Sequence, residues 1–474
     1  MKLYNTLSRS VEDIKPLNPP QVTVYTCGPT VYDYPHIGNW FTFLRYDLLI
    51  RALKLSGLEP NWVMNITDVG HLVSDGDDGE DKLQKGARRE NRTAWDVAAF
   101  YSENFENGIA KLNMLTAAQL PRATDHIQDQ IELIKTLEEK GYAYKIDDGI
   151  YFDTAKFESY GAMARLDIDQ LRAGARVEYN SQKHQPTDFA LWKFSPTVDH
   201  ENDKRDMEWE SPWGTGFPGW HIECSAMSMK YLGQSLDIHA GGIDHIPVHH
   251  SNEIAQSEAA TGKPFCKYWL HANHILVNGQ KISKSLDNSI RLEEIESAGY
   301  SPLDLRLLAM ESHYRSQSQF SWEGLAAAEK RRYDFGSFAD LRFQANPDAP
   351  RLVENYLQIQ KDAVLAALMD DLNTPIILRI LNETSAKLEA NGLHTDDLEE
   401  LNEFLSKIDS ALGLNLTASN TLSDDLVALI TERTAARADK NWTRSDELRA
   451  SLEKVGIGIH DMPFGTIWFR LRPE

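Results

Sequence analysis

The sequence predicts an α/β protein with a parallel sheet that an insertion interrupts, followed by a helical bundle and a small C-terminal α/β module. Three observations predict this class. A strand, a helix and a second strand follow one another over residues 21–67, short β-like runs with charged connections fill residues 141–205, and the period beyond Ser321 is almost wholly helical. Because parallel strands need a crossover connection, the first pattern implies a parallel sheet.

The elements of the first unit are short and clearly bounded. The apolar run Gln21–Cys27 predicts a strand, Trp40–Ser56 has the apolar spacing of a helix, and Asn61–Thr67 predicts a second strand. Such a βαβ unit is typical of a Rossmann-type sheet, whose ligand site lies at the carboxyl ends of the strands. Cys27 and Thr67 fall at these ends.

Composition and turn residues delimit the later elements. His71–Arg92 is charged and poor in apolar residues, which predicts a surface loop. Helices are predicted over Trp220–Leu232 and from Pro247 to about Ala260, and Asn278-Gly279 favours a type I′ hairpin. The predicted domains are residues 1–140 and 206–280 for the two halves of the sheet domain, 141–205 for the insertion, 281–321 for a loop region, 322–418 for the helical bundle and 419–474 for the terminal module.

Composition excludes several classes of protein. The 474 residues are 42% hydrophobic and 25% charged, which is ordinary globular usage. No apolar run is long enough to span a membrane, and the N-terminus lacks the apolar core of a secretory signal, so a cytoplasmic location is predicted. Cys27, Cys224 and Cys266 are too widely spaced for a disulfide framework, which leaves thiol or metal chemistry.

The charge balance restricts the partners of the chain. Its formal net charge of −22 opposes non-specific binding to a phosphate backbone, so a nucleic-acid partner needs a local basic stripe. One candidate stripe has 4, 3 and 4 spacing, which places its members on one side of a continuous helix: Arg433, Arg437, Lys440 and Arg444. By itself such a stripe is more typical of a solvated helix face.

Two short motifs carry residues suited to phosphate chemistry. Pro35–Asn39 follows the first strand at the start of a helix, where free N–H groups, Gly38 and His36 suit a phosphate. Lys281–Ser285 follows the hairpin and offers two lysines and two hydroxyls to a transferring phosphoryl group. Alone, the first motif is more typical of a plain loop histidine and the second of an exposed loop.

A third set of residues is suited to a metal. His249 and Glu253 are four residues apart on one predicted helix, Cys224 lies on the preceding helix, and Cys27 ends the first strand. Two thiolates, an imidazole and a carboxylate form a suitable zinc set. Buried cysteines and a surface His–Glu pair would give the same pattern, so the spacing alone leaves both interpretations open.

Together, the two phosphate motifs resemble the HIGH and KMSKS signatures of class I aminoacyl-tRNA synthetases. Asn39 replaces the second histidine of HIGH, Ile282 replaces the methionine of KMSKS, and Phe41 stands where related sequences often have arginine. Longer segments are similar to bacterial cysteinyl-tRNA synthetases over essentially the whole chain: TCGPTVYDYPHIGN, NITDVGHL, GWHIECSAMSMKYLG, DIHAGGIDHIPVHHSNEIAQS, KISKS and SHYRSQ.

The resemblance implies an ATP-dependent ligase that activates L-cysteine and transfers it to the 3′-terminal adenosine of tRNA(Cys), with one zinc ion per subunit and Mg²⁺ bound with ATP. It also implies a monomer in which residues 281–321 contact the tRNA stem, 322–418 bind tRNA and 419–474 recognise the anticodon. The resemblance implies catalytic roles for His36, Asn39, Lys281 and Lys284, and ATP contacts for His36, Gly38, Asn39, Gly241, Gly242, Asp244 and Lys284. It implies that the substrate cysteine is bordered by Thr67, Trp220, His221 and His239, and that zinc is held by Cys27, Cys224, His249 and Glu253. The implied anticodon contacts are Arg437, Trp442, Asp446 and Asp461.

Two other functions stay open at this point. A related enzyme would deliver activated cysteine to a small-molecule amine, but the complete modules beyond Ser321 count against it because a small acceptor needs no anticodon contact. A catalytically inactive relative that binds RNA or zinc would be expected to have lost His36, Lys284 or a zinc ligand, and none of these is lost.

Overall fold

The computed structural model describes residues 1–70, 81–165, 180–195, 205–282, 286 and 288–472. The strands are β1 Lys2–Asn5, β2 Ser10–Asp13, β3 Gln21–Thr26, β4 Glu59–Met64, β5 Ala143–Ile146, β6 Gly149–Phe152, β7 Phe189–Phe194, β8 Gly216–Pro218, β9 Leu236–Gly242, β10 Cys266–Ala272, β11 Ile275–Val277, β12 Gln280–Lys281, β13 Ser318–Phe320, β14 Ile457–Met462 and β15 Gly465–Arg470. The α-helices are α1 Ile37–Leu55, α2 Lys82–Glu90, α3 Ala94–Lys111, α4 Ile127–Glu139, α5 Trp220–Leu232, α6 His249–Thr261, α7 Leu292–Ser297, α8 Pro302–Met310, α9 Trp322–Asp340, α10 Tyr356–Met369, α11 Thr374–Asn391, α12 Leu398–Leu412, α13 Asp424–Ala438 and α14 Trp442–Glu453.

A four-stranded sheet in the order β10-β9-β3-β4 lies at the centre of the fold, and all of its pairings are parallel. The predicted parallel sheet is thus confirmed. Helix α1 makes the crossover from β3 to β4 and is buried on nearly every side, because the sheet covers one side and the helical bundle covers the other. One hydrophobic core therefore runs from the sheet through α1 into α8–α12.

The insertion is a separate antiparallel sheet in the order β5-β6-β7-β8, placed between α4 and α5. Its last strand, Gly216–Pro218, pairs with β7, so the sheet continues past residue 205. The chain then returns to the parallel sheet through α5, which begins at Trp220 and ends at Gly233 as predicted. Asn278 and Gly279 have positive φ angles between β11 and β12, as expected of the predicted hairpin turn.

Part of the predicted surface loop at His71–Arg92 is helical, so that prediction was wrong for Lys82–Glu90. Asp81 caps the helix by accepting hydrogen bonds from the backbone N–H groups of Leu83 and Gln84. Leu83 and Ala87 are buried on one side of α2 among residues of α3. The charged composition concealed this narrow apolar face. Residues 71–80 lie outside the described part of the chain.

The basic stripe near the C-terminus does not lie on one helix, so the continuous helix that its spacing requires is absent from these described residues. Helix α13 ends at Ala438, Lys440 has a φ of 61°, and a new helix begins at Trp442. Arg433 is buried and forms an ion pair with Asp461 on β14, so it belongs to the packing of the terminal module. Within the described ranges, no helix has both the length and the apolar character needed to cross a bilayer.

Candidate active site

Two neighbouring cavities lie at the carboxyl ends of the central strands. The larger has a volume of about 640 Å³ and the smaller about 190 Å³. Both are lined by the segment that follows β3 and by the start of α1: Cys27, Gly28, His36 and Asn39. The parallel strands bring these residues to one edge of the sheet, where ligand sites form in folds of this type.

The proposed metal ligands converge beside the larger cavity, which Cys27, Cys224 and His249 line directly. One ligand atom from each of Cys27, Cys224, His249 and Glu253 lies within 4.8 Å of the others, and all four side chains are buried. Cys27 follows β3, Cys224 lies on α5, and the other two ligands are one turn apart on α6. Two sulfur atoms, an imidazole nitrogen and a carboxylate oxygen form a donor set that zinc accepts.

Burial and neighbouring charges shift the pKa values of the four side chains in different directions. Its hydrogen bond with Cys27 lowers the pKa of Cys224 to about 7, which favours the thiolate. Burial acts to raise the pKa of Glu253, but His239 and His249 hold it below its usual value. Burial likewise opposes a charged His249, yet the negative groups of Glu253 and Cys224 raise the pKa of this histidine to about 10. Burial and the neighbouring Cys224 raise the pKa of Cys27. Cys224 and Glu253 are therefore held in the forms that bind a metal, whereas Cys27 and His249 keep protons that a bound metal ion would displace.

A shell of further histidines surrounds the cluster. The Nδ1 atoms of His221 and His249 are 2.9 Å apart, and Nε2 of His239 is 2.8 Å from Oε2 of Glu253. His250 approaches the sulfur of Cys27 at 3.3 Å. A second possible ligand set is Cys27, His239, His250 and Glu253. We favour the set with Cys224 and His249, because these two residues line the larger cavity and His239 and His250 do not.

Thr67 and Trp220, both predicted near the substrate cysteine, line the same cavity as the cluster. The hydroxyl of Thr67 donates to Oε2 of buried Glu223 at 3.0 Å and accepts from Nδ2 of Asn65 at 3.0 Å. The ring of Trp220 lies 4.8 Å from that of His249. These contacts fix both side chains next to the cluster. His221 and His239 are buried behind the ligands instead.

The smaller cavity contains most of the predicted nucleotide residues. Its lining includes Gly38, Gly242, Asp244, Lys281 and Ile282, besides the shared His36 and Asn39. A Cβ atom on Gly38 would come within 2.8 Å of the His36 ring and 3.1 Å of Ile282, so only glycine allows both to approach. Gly241 is buried against His250 and does not line this cavity. Lys284 lies outside the described residues.

His36 is the N-cap residue of α1 and lines both cavities. The ring Nδ1 of His36 accepts a hydrogen bond from the backbone N–H of Asn39 at 3.3 Å, and the backbone N–H of His36 donates to Oδ1 of Asn39 at 3.1 Å. Because Nδ1 acts as an acceptor, the proton of the neutral ring is on Nε2. The helix cap thus fixes the tautomer that can donate to an anion. Phe41, also near the start of α1, is buried, and the guanidinium carbon of Arg45 lies 6.0 Å from the centre of its ring.

All four anticodon candidates lie on the terminal module. Trp442 is 54% exposed, and the guanidinium of Arg437 lies 5.7 Å from its ring centre. Asp446 is exposed on the same helix as Trp442. Asp461 is held by Arg433 in a two-pronged ion pair and lies 3.3 Å from Arg437. The module therefore presents an aromatic ring, a cation and carboxylates on adjacent elements.

Several residues of the two cavities were not predicted from the sequence. His245 lines both cavities, and Asn65 fixes the chain after β3 by accepting a hydrogen bond from the N–H of Gly28 at 3.0 Å. Arg89 and Arg291 line the outer part of the larger cavity. The histidine-rich segment from His245 to His250 was a visible signal for the first residue. Nothing in the local sequence distinguishes the two arginines from surface residues.

The sheet topology and the paired cavities agree with a class I aminoacyl-tRNA synthetase, and family models show that the chain belongs to this class. A family model described as the class I (C) tRNA synthetase catalytic domain matches residues 13–330, and one described as the cysteinyl-tRNA ligase anticodon binding domain matches residues 419–468. The fold is also that of methionyl-tRNA synthetase from Mycobacterium tuberculosis in complex with methionyl-adenylate, with a TM-score of 0.58, 12% identity and coverage of 84% of this chain and 92% of the other.

Within that class, the chain belongs to the cysteine–tRNA ligase family. It is 40% identical to cysteine–tRNA ligase from Treponema denticola, over 99% of this chain and 100% of the relative. It is 44% identical to cysteine–tRNA ligase 1 from Burkholderia lata, over 99% of this chain and 97% of the relative. The similarity therefore covers the sheet domain, the insertion, the bundle and the terminal module together.

Proposed function

We propose that this chain is a cysteine–tRNA ligase, which joins L-cysteine to AMP from ATP and then transfers it to the 3′-terminal adenosine of tRNA(Cys). One observation carries the proposal: three members of a buried Cys/Cys/His/Glu cluster line a cavity that shares His36 and Asn39 with the cavity of the predicted nucleotide residues. A thiol-selective site thus lies next to a site suited to phosphate chemistry.

We assign the metal site to zinc, held by Cys27, Cys224, His249 and Glu253. Both thiol sulfurs and the His249 imidazole suit this ion. Oε1 of Glu253 is buried and accepts no hydrogen bond, although Nε2 of His249 lies 3.0 Å from it, and this geometry fits a cation held between the two side chains. When bound, zinc supplies a Lewis acid that promotes ionisation of a thiol far more than that of an alcohol, so it separates cysteine from serine. Thr67 and Trp220 position the substrate beside this site.

In the first reaction, a carboxylate oxygen of cysteine forms a bond to the α-phosphorus of ATP, and the bond to pyrophosphate breaks. The protein needs no nucleophile of its own, because positioning and charge stabilisation lower the barrier. Nε2–H of His36 donates to the α-phosphate, and Lys281 together with Lys284 neutralises the leaving pyrophosphate. Gly38, Gly242 and Asp244 hold the nucleotide, and Mg²⁺ accompanies it.

In the second reaction, a ribose hydroxyl of the terminal adenosine attacks the activated carbonyl carbon, and AMP leaves. The terminal module selects the tRNA through Trp442, which can stack on a base, and through Arg437, Asp446 and Asp461, which suit base edges. The proposal includes a monomeric enzyme in the cytoplasm. Transfer to a small-molecule amine is less well supported, since it leaves the exposed aromatic and charged residues of this module without a role.

Charging of tRNA transcripts with labelled cysteine tests the proposal. The transcript carries the GCA anticodon, and serine and a changed anticodon serve as controls. We expect cysteine-specific charging that the anticodon change reduces. ATP/pyrophosphate exchange without charging would instead support a small-amine acceptor, and loss of both reactions would support an inactive relative.

A pair of cysteine variants tests the metal site in the same assay. Cys224→Ser is expected to lose bound zinc and cysteine-dependent exchange while the protein stays folded. Cys266→Ser is the matched control, because Cys266 is an equally buried thiol outside the cluster, 3.3 Å from the carbonyl oxygen of Tyr268. Equal loss of folding and activity in Cys224→Ser would show that the cluster is structural.

A further inference from the structure

One ion pair of the smaller cavity has no part in the reactions derived above. Nε2 of His274 lies 2.8 Å from Oδ1 of Asp244, and both residues line the smaller cavity but not the larger one. The Asp244 side chain is 58% exposed, and in the part of the chain that the structure describes its only ion-pair partner is His274. The imidazole therefore engages one oxygen of the carboxylate and leaves Oδ2 available to a ligand in the cavity.

The imidazole is presented to Asp244 by a rigid stretch of backbone. His274 lies between β10 and β11, where its carbonyl oxygen accepts from the N–H of Ser318 on β13 at 2.9 Å. Its own N–H donates to Oδ1 of Asn273 at 2.8 Å. Asp244, by contrast, lies in a short 3₁₀ turn, Ile243–His245, that follows β9. The paired strands therefore hold the histidine, and the histidine holds the more mobile carboxylate.

The chemistry of ATP limits what the Asp244 carboxylate can contact. It is the only carboxylate among the described residues that line the smaller cavity. A carboxylate repels phosphate and accepts hydrogen bonds, so it suits only a donor group of the nucleotide. ATP has such donors at its ribose hydroxyls and at its adenine amino group. The backbone of Gly38 and the side chain of Ile282 offer a flat surface to the base, which leaves a ribose hydroxyl for Asp244.

We propose that His274 is a positioning residue for the ribose of ATP: it holds Asp244 so that Oδ2 accepts a hydrogen bond from a ribose hydroxyl. This inference rests on the proposed function and deepens it. An acceptor that is already oriented loses less conformational entropy when the nucleotide binds. A site built to pair with a hydroxyl also rejects an analogue that lacks it, because its polar group is then left without a partner. His274 thus contributes to selection of a ribonucleotide.

Equilibrium dialysis with ATP, 2′-deoxy-ATP and 3′-deoxy-ATP in the presence of Mg²⁺ tests the proposal without relying on catalysis. The parent protein should bind ATP more tightly than one of the deoxy analogues by roughly 10- to 150-fold, as for one hydrogen bond to a charged group. His274→Leu should lose most of this preference through weaker binding of ATP. His274→Gln should retain it, because the glutamine amide supplies an N–H donor to Asp244.

A matched control separates this role from a general effect of losing a histidine. His184→Leu breaks another His–Asp pair, in which Nδ1 of His184 lies 3.2 Å from Asp153 on the insertion, and neither residue lines either cavity. This variant should keep the parent preference. Asp244→Ala should lose the preference, and the double variant with His274→Leu should lose no further affinity for ATP, because the histidine acts through the carboxylate.

Cysteine-dependent ATP/pyrophosphate exchange gives a second readout. A ribose contact is present in both the ground state and the transition state, so His274→Leu should raise the KM for ATP and leave kcat unchanged. The KM for cysteine should also stay unchanged, since His274 does not line the larger cavity. A structural role would instead impair both substrates.

Four results would count against this role. An equal preference for ATP in the parent protein and in His274→Leu would overturn it, and so would an equal loss of affinity for all three nucleotides. If a purine nucleotide that lacks only the amino group shows the loss instead, Asp244 contacts the base and the proposal is wrong. Absence of ATP binding by the parent would refute this proposal and the proposed function together. Selective ATP binding without exchange or charging would refute the proposed function only.

Discussion

Glu253 shows how single residues determine the chemistry of the cluster. Its Oε2 is 2.8 Å from Nε2 of His239, and its Oε1 is 3.0 Å from Nε2 of His249. The first histidine is fully buried and lines neither cavity, so it orients the carboxylate and cannot reach a substrate that stays in them. A side chain that orients a metal ligand acts through the affinity for the metal.

His239→Ala is therefore expected to lower the affinity for zinc by roughly 10- to 100-fold, as for other residues that support a ligand. The KM for ATP should not change, because the cavity of the nucleotide residues is untouched. Competition with a chromophoric chelator measures the affinity, and ATP/pyrophosphate exchange at saturating zinc measures KM. A normal zinc affinity with a raised KM for cysteine would instead place His239 at the substrate.

The residue types of the site were predictable and their interactions were not. His249 and Glu253 could be paired from their four-residue spacing on a helix, because that spacing fixes a common face. His221 and Glu223 gave no comparable signal. Their partners, His249 and Thr67, are 28 and 156 residues distant in the chain, so only the assembled sheet reveals these contacts.

At the scale of elements, the start of α1 combines folding with function. The helix begins at Ile37, before the predicted start at Trp40, because His36 and Asn39 close a reciprocal cap. His36 therefore stabilises the helix with Nδ1, and under the proposed function its Nε2–H donates to the α-phosphate. A substitution of this residue changes both, and a suitable pair of variants can separate the two effects.

Asparagine is a good N-cap, whereas alanine is a poor one. His36→Asn should retain most of the stability, and His36→Ala should lose about 1 kcal/mol more. Both variants lack the Nε2–H donor, so both should lose ATP/pyrophosphate exchange by a similar factor. Urea unfolding and exchange kinetics measure the two quantities. Activity that follows stability across the pair would mean that His36 acts only as a cap.

Element boundaries marked by glycine were predictable, and those marked by cap geometry were not. Gly233 is the C-cap of helix α5 and Gly262 that of α6, so both helices stop where the sequence indicated. The break between α13 and α14 carries no glycine or proline. It depends on Lys440 with positive φ and on Asn441, which caps α14 by accepting from the N–H of Arg444. A helical period alone continues through such a break.

At the scale of the whole molecule, one buried arginine joins three regions. Arg306 of α8 forms an ion pair with Asp47 of α1, donates to the carbonyl oxygen of Leu112 at 2.9 Å and donates to that of Leu412 at 2.6 Å. Asp47 also accepts from Arg51 at 2.8 Å. Sequence spacing would suggest only an exposed Asp47–Arg51 helix pair, because the partner in α8 is 259 residues away.

This centre connects the catalytic sheet domain to the end of α12 in the bundle. Arg306→Met keeps much of the side-chain volume but leaves part of the charge of Asp47 buried without a partner. We expect a loss of roughly 3 to 5 kcal/mol in the free energy of unfolding, as for removal of one member of a buried ion pair.

Arg306→Met should impair tRNA charging more than cysteine activation. Under the proposed function, activation uses only the sheet domain, whereas charging requires that the 3′ end and the anticodon of one tRNA are bound at the same time. Gly413→Ala should disturb the Arg306–Asp47 ion pair from the bundle side. Gly413 has a φ of 63°, and an added Cβ would lie 2.5 Å from the Arg306 guanidinium. Arg379→Met is the control, as Arg379 is exposed and pairs only with Glu383 at 3.0 Å among the described contacts. Charging and exchange are measured below the unfolding temperature of each variant. A parallel loss of both reactions would show that Arg306 supports the fold without setting the orientation of the bundle.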